Sequence, residues 1–215
     1  MLRLFDYPAS ANCYKVRLLL HQLKRPYERV EVDIFAGDTL RDEFGDMNVA
    51  RRTPVLEIAP GDFLPESNAI LLFLAEGTPF LPDDRSKRAH VYRWLFFEQN
   101  LFEPRVGGLR FRRLTGRGGL DPALLADLER AAEEAMRMLG SHLAGRDFLV
   151  GSEYSVADTS LYAYAHVAGE GGLDLDRYPD VRSWLRRVEE VPRMMNDLQP
   201  YPENARAGRG RSVHG

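Results

Sequence analysis

The sequence predicts a mixed α/β domain followed by an all-helical one. Three observations carry that reading. The opening residues, to about position 76, alternate strand and helix patterns in the order β-α-β-α-β-β-α. A strand–helix–strand start with a hairpin finish suits a mixed four-stranded sheet covered by helices. Strand patterns then vanish, and helical periodicity takes over. Between the two regions lies Gly77-Thr78-Pro79-Phe80-Leu81-Pro82, a linker by composition. We therefore place the first domain at 1–77, the linker at 78–86 and the helical domain at 87–202.

Each element has its own signal. Residues 2–6 read as a short strand, with Leu2, Leu4 and Asp6 alternating with Arg3 and Phe5. Pro8-Ala9-Ser10 breaks it. Val16, Leu18, Leu19, Leu20 and Leu23 recur at helical spacing over residues 12–23, and Arg25-Pro26 ends that helix. Residues 27–34 form the second strand, with Val30, Val32 and Ile34 on one face. Residues 38–46 are charged and suit a short exposed helix. Residues 54–58 are the third strand, Pro60-Gly61-Asp62 a tight turn, and residues 62–64 the returning arm of a hairpin. Residues 67–76 form a helix that buries Ile70, Leu71, Phe73 and Leu74. In the second domain, residues 85–104, 121–143, 155–169 and 178–190 read as helices. Ser155-Val156-Ala157-Asp158 is a capping box with Asp in the usual place of Glu. Residues 203–215 lack apolar periodicity and are expected to be a disordered tail.

Composition narrows the function. The chain has 215 residues, 44% hydrophobic and 28% charged, as in ordinary soluble globular proteins. No apolar run approaches the ~20 residues of a bilayer crossing, and the first residues lack a secretory pattern. Cys13 is the one cysteine, so no intrachain disulfide is expected and a reducing cytoplasm is the natural setting. A net charge of −3 excludes a strongly basic nucleic-acid binder. The distribution is uneven: residues 1–78 carry 9 Lys/Arg against 12 Asp/Glu, whereas residues 85–117 carry 9 Lys/Arg against only Glu98 and Glu103. There is no P-loop and no GxGxxG after the first strand, and the five histidines (His21, His90, His142, His166, His214) show no zinc spacing. No metal is expected.

Three places suit chemistry. The turn Tyr7-Pro8-Ala9-Ser10-Ala11-Asn12-Cys13 opens a helix, whose N-terminus offers unpaired N–H groups and a partial positive charge. A hydroxyl there can donate to an anion, and a thiolate there is favoured. A plain helix cap is the commoner role for Ser10 or Asn12 at such a place, and Cys13 reads more readily as a buried, inert thiol than as a nucleophile. Arg52-Thr53-Pro54 enters the third strand with Thr53 biased to extended geometry, an arrangement that serves a ligand's backbone or an ordinary strand start. Glu66-Ser67, at the start of a helix, can hold a zwitterion: Glu66 the ammonium, Ser67 the carboxylate. It can also be a cap beside a solvated carboxylate.

Together these stretches resemble the cytosolic glutathione S-transferases over nearly all of residues 1–200. The resemblance rests on Tyr7-Pro8-x-Ser10-x-Asn12-Cys13-x-Lys15-Val16-Arg17, on Asn48 through Arg52-Thr53-Pro54-Val55-Leu56-Glu57, on Glu66-Ser67-Asn68-Ala69-Ile70, on Leu81-Pro82 and on Ser155-x-Ala157-Asp158. It implies a thioredoxin-like first domain that binds glutathione as co-substrate, and a helical second domain that helps bind a hydrophobic electrophile. Ser10 resembles the catalytic hydroxyl of the serine-type classes. Thr53 resembles the residue before a cis-proline, Pro54, that pairs with the cysteinyl unit. Glu66 and Ser67 resemble the pair holding the γ-glutamyl group, with Asn12 nearby, and Arg52 sits where a Lys often reaches the glycyl carboxylate. Tyr7, Phe35, Arg105 and Phe111 are the expected electrophile pocket, and Arg93, Arg105 and Arg110 are expected to raise the potential around an anionic ligand. The usual Asn-Pro-x-Gly-x-Val-Pro loop is here Asn48-Val49-Ala50-Arg51-Arg52-Thr53-Pro54, and Asp6 stands where the tyrosine-type classes have their Tyr. Conjugation to an electrophile is the leading expectation. A thiol reductase or peroxidase using Cys13, or a non-catalytic module of the same fold, is the alternative. The family also implies a homodimer. The opposed charges of the two domains suit such a contact, with Phe44 and Met47 as apolar anchors or as core.

Overall fold

The computed structural model describes residues 1–213; His214 and Gly215, the end of the expected tail, lie outside the described residues. The chain divides into two compact units, 1–74 with the segment from Met195 onward, and 75–194.

The first unit is built on β1 (Leu2–Asp6), α1 (Ala11–Gln22), β2 (Tyr27–Glu31), α2 (Asp42–Met47), β3 (Val55–Ala59), β4 (Asp62–Pro65) and α3 (Ser67–Ala75). The sheet order is β2-β1-β3-β4, with β1–β2 parallel and the other pairs antiparallel. The parallel pair requires a crossover, and α1 supplies it. Leu4 faces Leu56 and Phe5 faces Val55 in the register, so the apolar residues of the two central strands share the core. This is the mixed four-stranded sheet expected from the sequence, in the thioredoxin-like order that the resemblance implies. Gly61, at φ +78°, makes the β3–β4 hairpin turn, a conformation open to glycine at little steric cost.

Several details differ from the sequence reading. The second strand stops at Glu31 because Asp33 turns the chain: its carboxylate accepts the N–H groups of Phe35 and Ala36 at 2.9 and 3.0 Å. The helix expected at 38–46 is split at Arg41, whose backbone is extended, into a short 3₁₀ turn and α2. Phe44 is core, while Met47 is half-buried. Phe73 falls at the edge of the buried arc of α3 and is largely exposed.

The largest difference is the C-terminal segment. Residues 203–213, expected to be disordered, pack on the first unit. Asn204 Nδ2 donates to the Asp33 carboxylate at 2.8 Å and the Arg211 N–H donates to the Phe35 carbonyl at 2.7 Å. Just upstream, Asp197 accepts Arg17 Nε at 2.9 Å, and the Gln199 N–H donates to the Pro8 carbonyl at 3.2 Å. Gly210 explains the low-complexity look of the tail. It sits at φ +65°, and a Cβ there would lie 2.3 Å from the Phe35 carbonyl oxygen. Glycine permits close backbone approach here.

The second unit contains α4 (Arg85–Phe97), a π-helical stretch (Glu98–Gly107), α5 (Gly108–Thr115), α6 (Pro122–Leu143), α7 (Val156–Ala165) and α8 (Pro179–Glu189). The single helix expected at 85–104 changes hand-over at Glu98. Pro104 has no N–H for an α-type bond, and the wider π turn takes it in. The Ser155 capping box forms as expected, and Asp158 also accepts the Leu149 N–H and Trp184 Nε1–H at 2.9 and 3.0 Å. Burial pushes the Asp158 carboxyl up to about 6 despite these donors.

Candidate functional site

Within the first unit, two helix starts and one strand entry hold most of the sequence-predicted residues. Ser10 caps α1. Its backbone is extended, at φ −83° and ψ 121°, and its Oγ accepts the Cys13 N–H at 3.3 Å. The two readings of Ser10 are therefore compatible. Capping uses an oxygen lone pair, and the hydroxyl keeps its own proton for a second partner. The surrounding N-terminal amides and the α1 dipole favour an anion at that position.

Asn12 lies two residues further in and joins α1 to α3. Asn12 Oδ1 accepts the Ser67 hydroxyl at 3.1 Å and the Lys15 ammonium at 2.7 Å, and Lys15 also donates to Ser67 Oγ at 3.4 Å. The Ser67 hydroxyl is thus turned inward. Ser67 can serve an anion through its backbone N–H at the first position of α3, where helices leave such groups unused.

Glu66 precedes Ser67 and is exposed. It holds φ at +73°, the left-handed region that non-glycine residues rarely adopt. Its carbonyl accepts the Ile70 N–H at 2.9 Å, so it opens α3 through its backbone while its carboxylate faces solvent. Such backbone strain recurs at ligand clamps, where the surrounding structure holds it.

Thr53-Pro54 is cis. Pro54 is buried and Arg52 exposed. The altered loop before them is organised by Asn48, whose Nδ2 donates to the Arg52 carbonyl at 2.8 Å and whose Oδ1 accepts the Ala50 N–H at 3.0 Å. Arg51, at φ +53°, donates to the Thr39 and Arg41 carbonyls. A side-chain network here replaces the missing Pro and Gly.

Cys13 is fully buried, and its Sγ accepts the Tyr7 N–H at 3.3 Å. Burial, with Asp6 nearby, pushes the thiol up to about 12, and the Tyr7 N–H, with the Thr53 and Ser10 side chains close by, offsets this only in part. The helix start does not rescue the thiolate. Burial of this kind disfavours the thiolate and withdraws the sulfur from solvent.

The remaining expected residues divide between the units. Tyr7 and Phe35 are buried in the first and meet edge to face at 5.8 Å. Arg105 and Phe111 belong to the second, where Arg105 approaches Glu134 at 3.8 Å and Phe111 is half-buried. Part of the basic field of residues 85–117 is paired inside that unit. Arg110 is 3% exposed and pairs with Glu170 at 2.7 Å, Arg113 pairs with Glu129, and Arg93 stacks over Trp94. Arg110 is therefore a structural cation. Its partner lies 60 residues away in sequence, outside the basic segment itself.

Sequence reasoning missed Lys15 as a site residue. The available signal was a lysine embedded in a helix whose neighbours, Tyr14 and Val16 to Leu20, are otherwise nearly all apolar. Among the described residues, no group of His, Cys, Asp and Glu is arranged to hold a metal ion, and no helix is long and apolar enough to cross a membrane.

Comparison with known proteins bears on this geometry. Residues 4–80 match the family model of the glutathione S-transferase N-terminal domain, and residues 122–187 that of its C-terminal domain. A solved glutathione S-transferase from Pseudomonas fluorescens is 41% identical, with a TM-score of 0.87 over 92% of this chain and 99% of that one. The chain belongs to the glutathione S-transferase family. A glutathione transferase family member from Pseudomonas fluorescens, solved with two glutathione bound, is 26% identical, with a TM-score of 0.80 over 92% of each chain. The disulfide-bond oxidoreductase YfcG of Escherichia coli is 29% identical over 89% of this chain and 92% of its own.

Proposed function

We propose that the chain is a glutathione transferase that joins the glutathione sulfur to a hydrophobic electrophile. The observation that carries the reading is the Ser10 hydroxyl, which caps α1 with its lone pair and retains a proton to donate. Donation to the glutathione sulfur favours the thiolate, and the α1 dipole acts in the same direction. The thiolate then attacks the electrophilic carbon, a C–S bond forms, and the leaving group departs with the electron pair. The Thr53 main chain pairs with the cysteinyl unit, the Glu66 carboxylate takes the ammonium, the Ser67 backbone N–H takes the neighbouring carboxylate, and Arg52 the glycyl carboxylate. Such an enzyme acts in the cytoplasm as a homodimer. With Phe44 in the core, the exposed apolar anchor in this region is Val49, at 94% exposure.

A second reading is supported by the likeness to a disulfide-bond oxidoreductase. Because Cys13 is buried and neutral, both thiols would come from glutathione: one thiolate attacks the disulfide to give a mixed disulfide, and a second displaces the remaining thiolate to leave oxidised glutathione. The test offers the purified protein glutathione with either an activated aryl chloride or a small dialkyl disulfide. Turnover of the chloride above the uncatalysed rate, lost in Ser10→Ala, supports transfer. Turnover of the disulfide alone supports the second reading.

A further inference from the structure

We infer that Lys15 is a positioning residue that fixes the polarity of the Asn12–Ser67 cluster and so presents the Asn12 amide as a hydrogen-bond donor to glutathione. The inference rests on the reading of this cluster as the glutathione site.

Lys15 is 0% exposed, in the middle of the buried face of α1. Its ammonium reaches Asn12 Oδ1 at 2.7 Å and Ser67 Oγ at 3.4 Å, while the Ser67 hydroxyl reaches Asn12 Oδ1 at 3.1 Å. Three side chains from two helix starts, 52 to 55 residues apart in sequence, thus close a ring.

The direction of every bond in that ring follows from one fact: an ammonium has three donors and no acceptor. The Asn12 atom facing Lys15 must therefore be the carbonyl oxygen. The Ser67 oxygen must accept from Lys15, which sends the Ser67 proton to Asn12. With Oδ1 occupied by two donors, the planar amide turns its NH₂, and not its oxygen, to the other side. A neutral residue at position 15 would leave the amide free to turn over and offer an acceptor instead. An acceptor repels the anionic thiolate and carboxylates of glutathione, and a donor binds them. The ammonium also adds its charge where the N-termini of α1 and α3 already favour anions. Lys15 thus acts through Asn12 and Ser67, without touching the ligand.

The test measures glutathione dissociation constants by calorimetry for the wild type, Lys15→Met, Asn12→Ala and the double variant. Loss of one donor to a ligand corresponds to about a 10-fold weakening. Lys15→Met and Asn12→Ala are each expected to weaken binding by roughly that factor, and the double variant by no more than either alone. A merely structural lysine gives factors that multiply. Asn12→Asp is the companion variant should Lys15→Met not fold. It keeps an acceptor for the ammonium and so preserves the fold, but it removes the donor, and it too is expected to bind about 10-fold more weakly. Multiplying factors, or wild-type affinity in Asn12→Asp or in folded Lys15→Met, would overturn the inference alone. A wild type that does not bind glutathione at millimolar concentration would overturn the site reading with it.

Discussion

Ser10 can be dissected because its two roles respond differently to alanine and to glycine. Alanine at a helix cap loses about 0.5–2 kcal/mol, whereas glycine loses only a few tenths. The cap bond here, Cys13 N–H to Ser10 Oγ, is long at 3.3 Å, so the lower half of that range, about 1 kcal/mol, is appropriate for Ser10→Ala. In a chain of this size that lowers Tm by roughly 2–4 °C, while Ser10→Gly should melt close to the wild type. Both variants lose the hydroxyl proton. A hydrogen bond to a charged acceptor contributes about 1.5–3 kcal/mol, so both should lose roughly one to two decades in kcat/KM with an activated aryl chloride. The same energy raises the pKa of the bound glutathione thiol by about one to two units. The sign is definite: the thiolate is less favoured, so the deficit is largest near neutral pH and shrinks as the pH rises. Ser10→Thr, which keeps the hydroxyl, should retain most activity. The assay is a pH–rate profile of each variant beside a thermal melt. If Ser10→Gly keeps both the rate and the profile of the wild type, the hydroxyl is only a cap and the proposed chemistry is wrong.

Three further outcomes are expected. Glu66→Gly relaxes the left-handed backbone, a gain of about 1–2 kcal/mol that offsets the 0.5–1 kcal/mol cost of glycine flexibility. The variant should therefore be at least as stable as the wild type, yet its exposed carboxylate is lost and glutathione affinity should fall by about 5–30-fold; unchanged affinity by calorimetry would refute the ammonium assignment. Cys13, pushed from the ordinary 9.0 to about 12, should resist a thiol-specific aromatic disulfide reagent at pH 8 until the protein is unfolded. Its folded value is the higher one, so the stability it contributes is present below pH 9 and is lost as the pH rises towards 12; Cys13→Ala should lack that component of alkaline destabilisation while keeping conjugating activity, and a rapid reaction of the native thiol would refute the burial argument. Gly210→Ala sets a methyl 2.3 Å from the Phe35 carbonyl oxygen at a positive φ, so the C-terminal segment should detach and tryptic cleavage at Arg206 and Arg209 should accelerate several-fold; an unchanged digestion rate would show that the segment is not held there.

What the sequence made legible was whatever its neighbours along the chain decide. The βαβ start, the Pro60-Gly61 hairpin, the capping box at Ser155 and the cap at Ser10 each depend on a few adjacent residues, and each formed. The misreadings share the opposite property. Arg110 looked like a free cation because Glu170 lies 60 residues away, and the glycine-rich tail looked disordered because its partners, Asp33 and Phe35, lie about 170 residues earlier. Cys13 belongs to both groups. Its place at a helix start is one where a thiolate is favoured, but the sheet and helix packed around it withdraw it from water, and that desolvation is the largest influence on it. The same logic explains why Lys15 escaped notice. A lysine in an apolar helical run reads as a break in the pattern until a second helix start brings Ser67 to within 3.4 Å of it. The candidate site is therefore legible in its hydroxyls and carboxylate, which local rules can place. Its polar wiring depends on tertiary convergence, and that wiring decides whether each group meets the ligand as a donor or an acceptor.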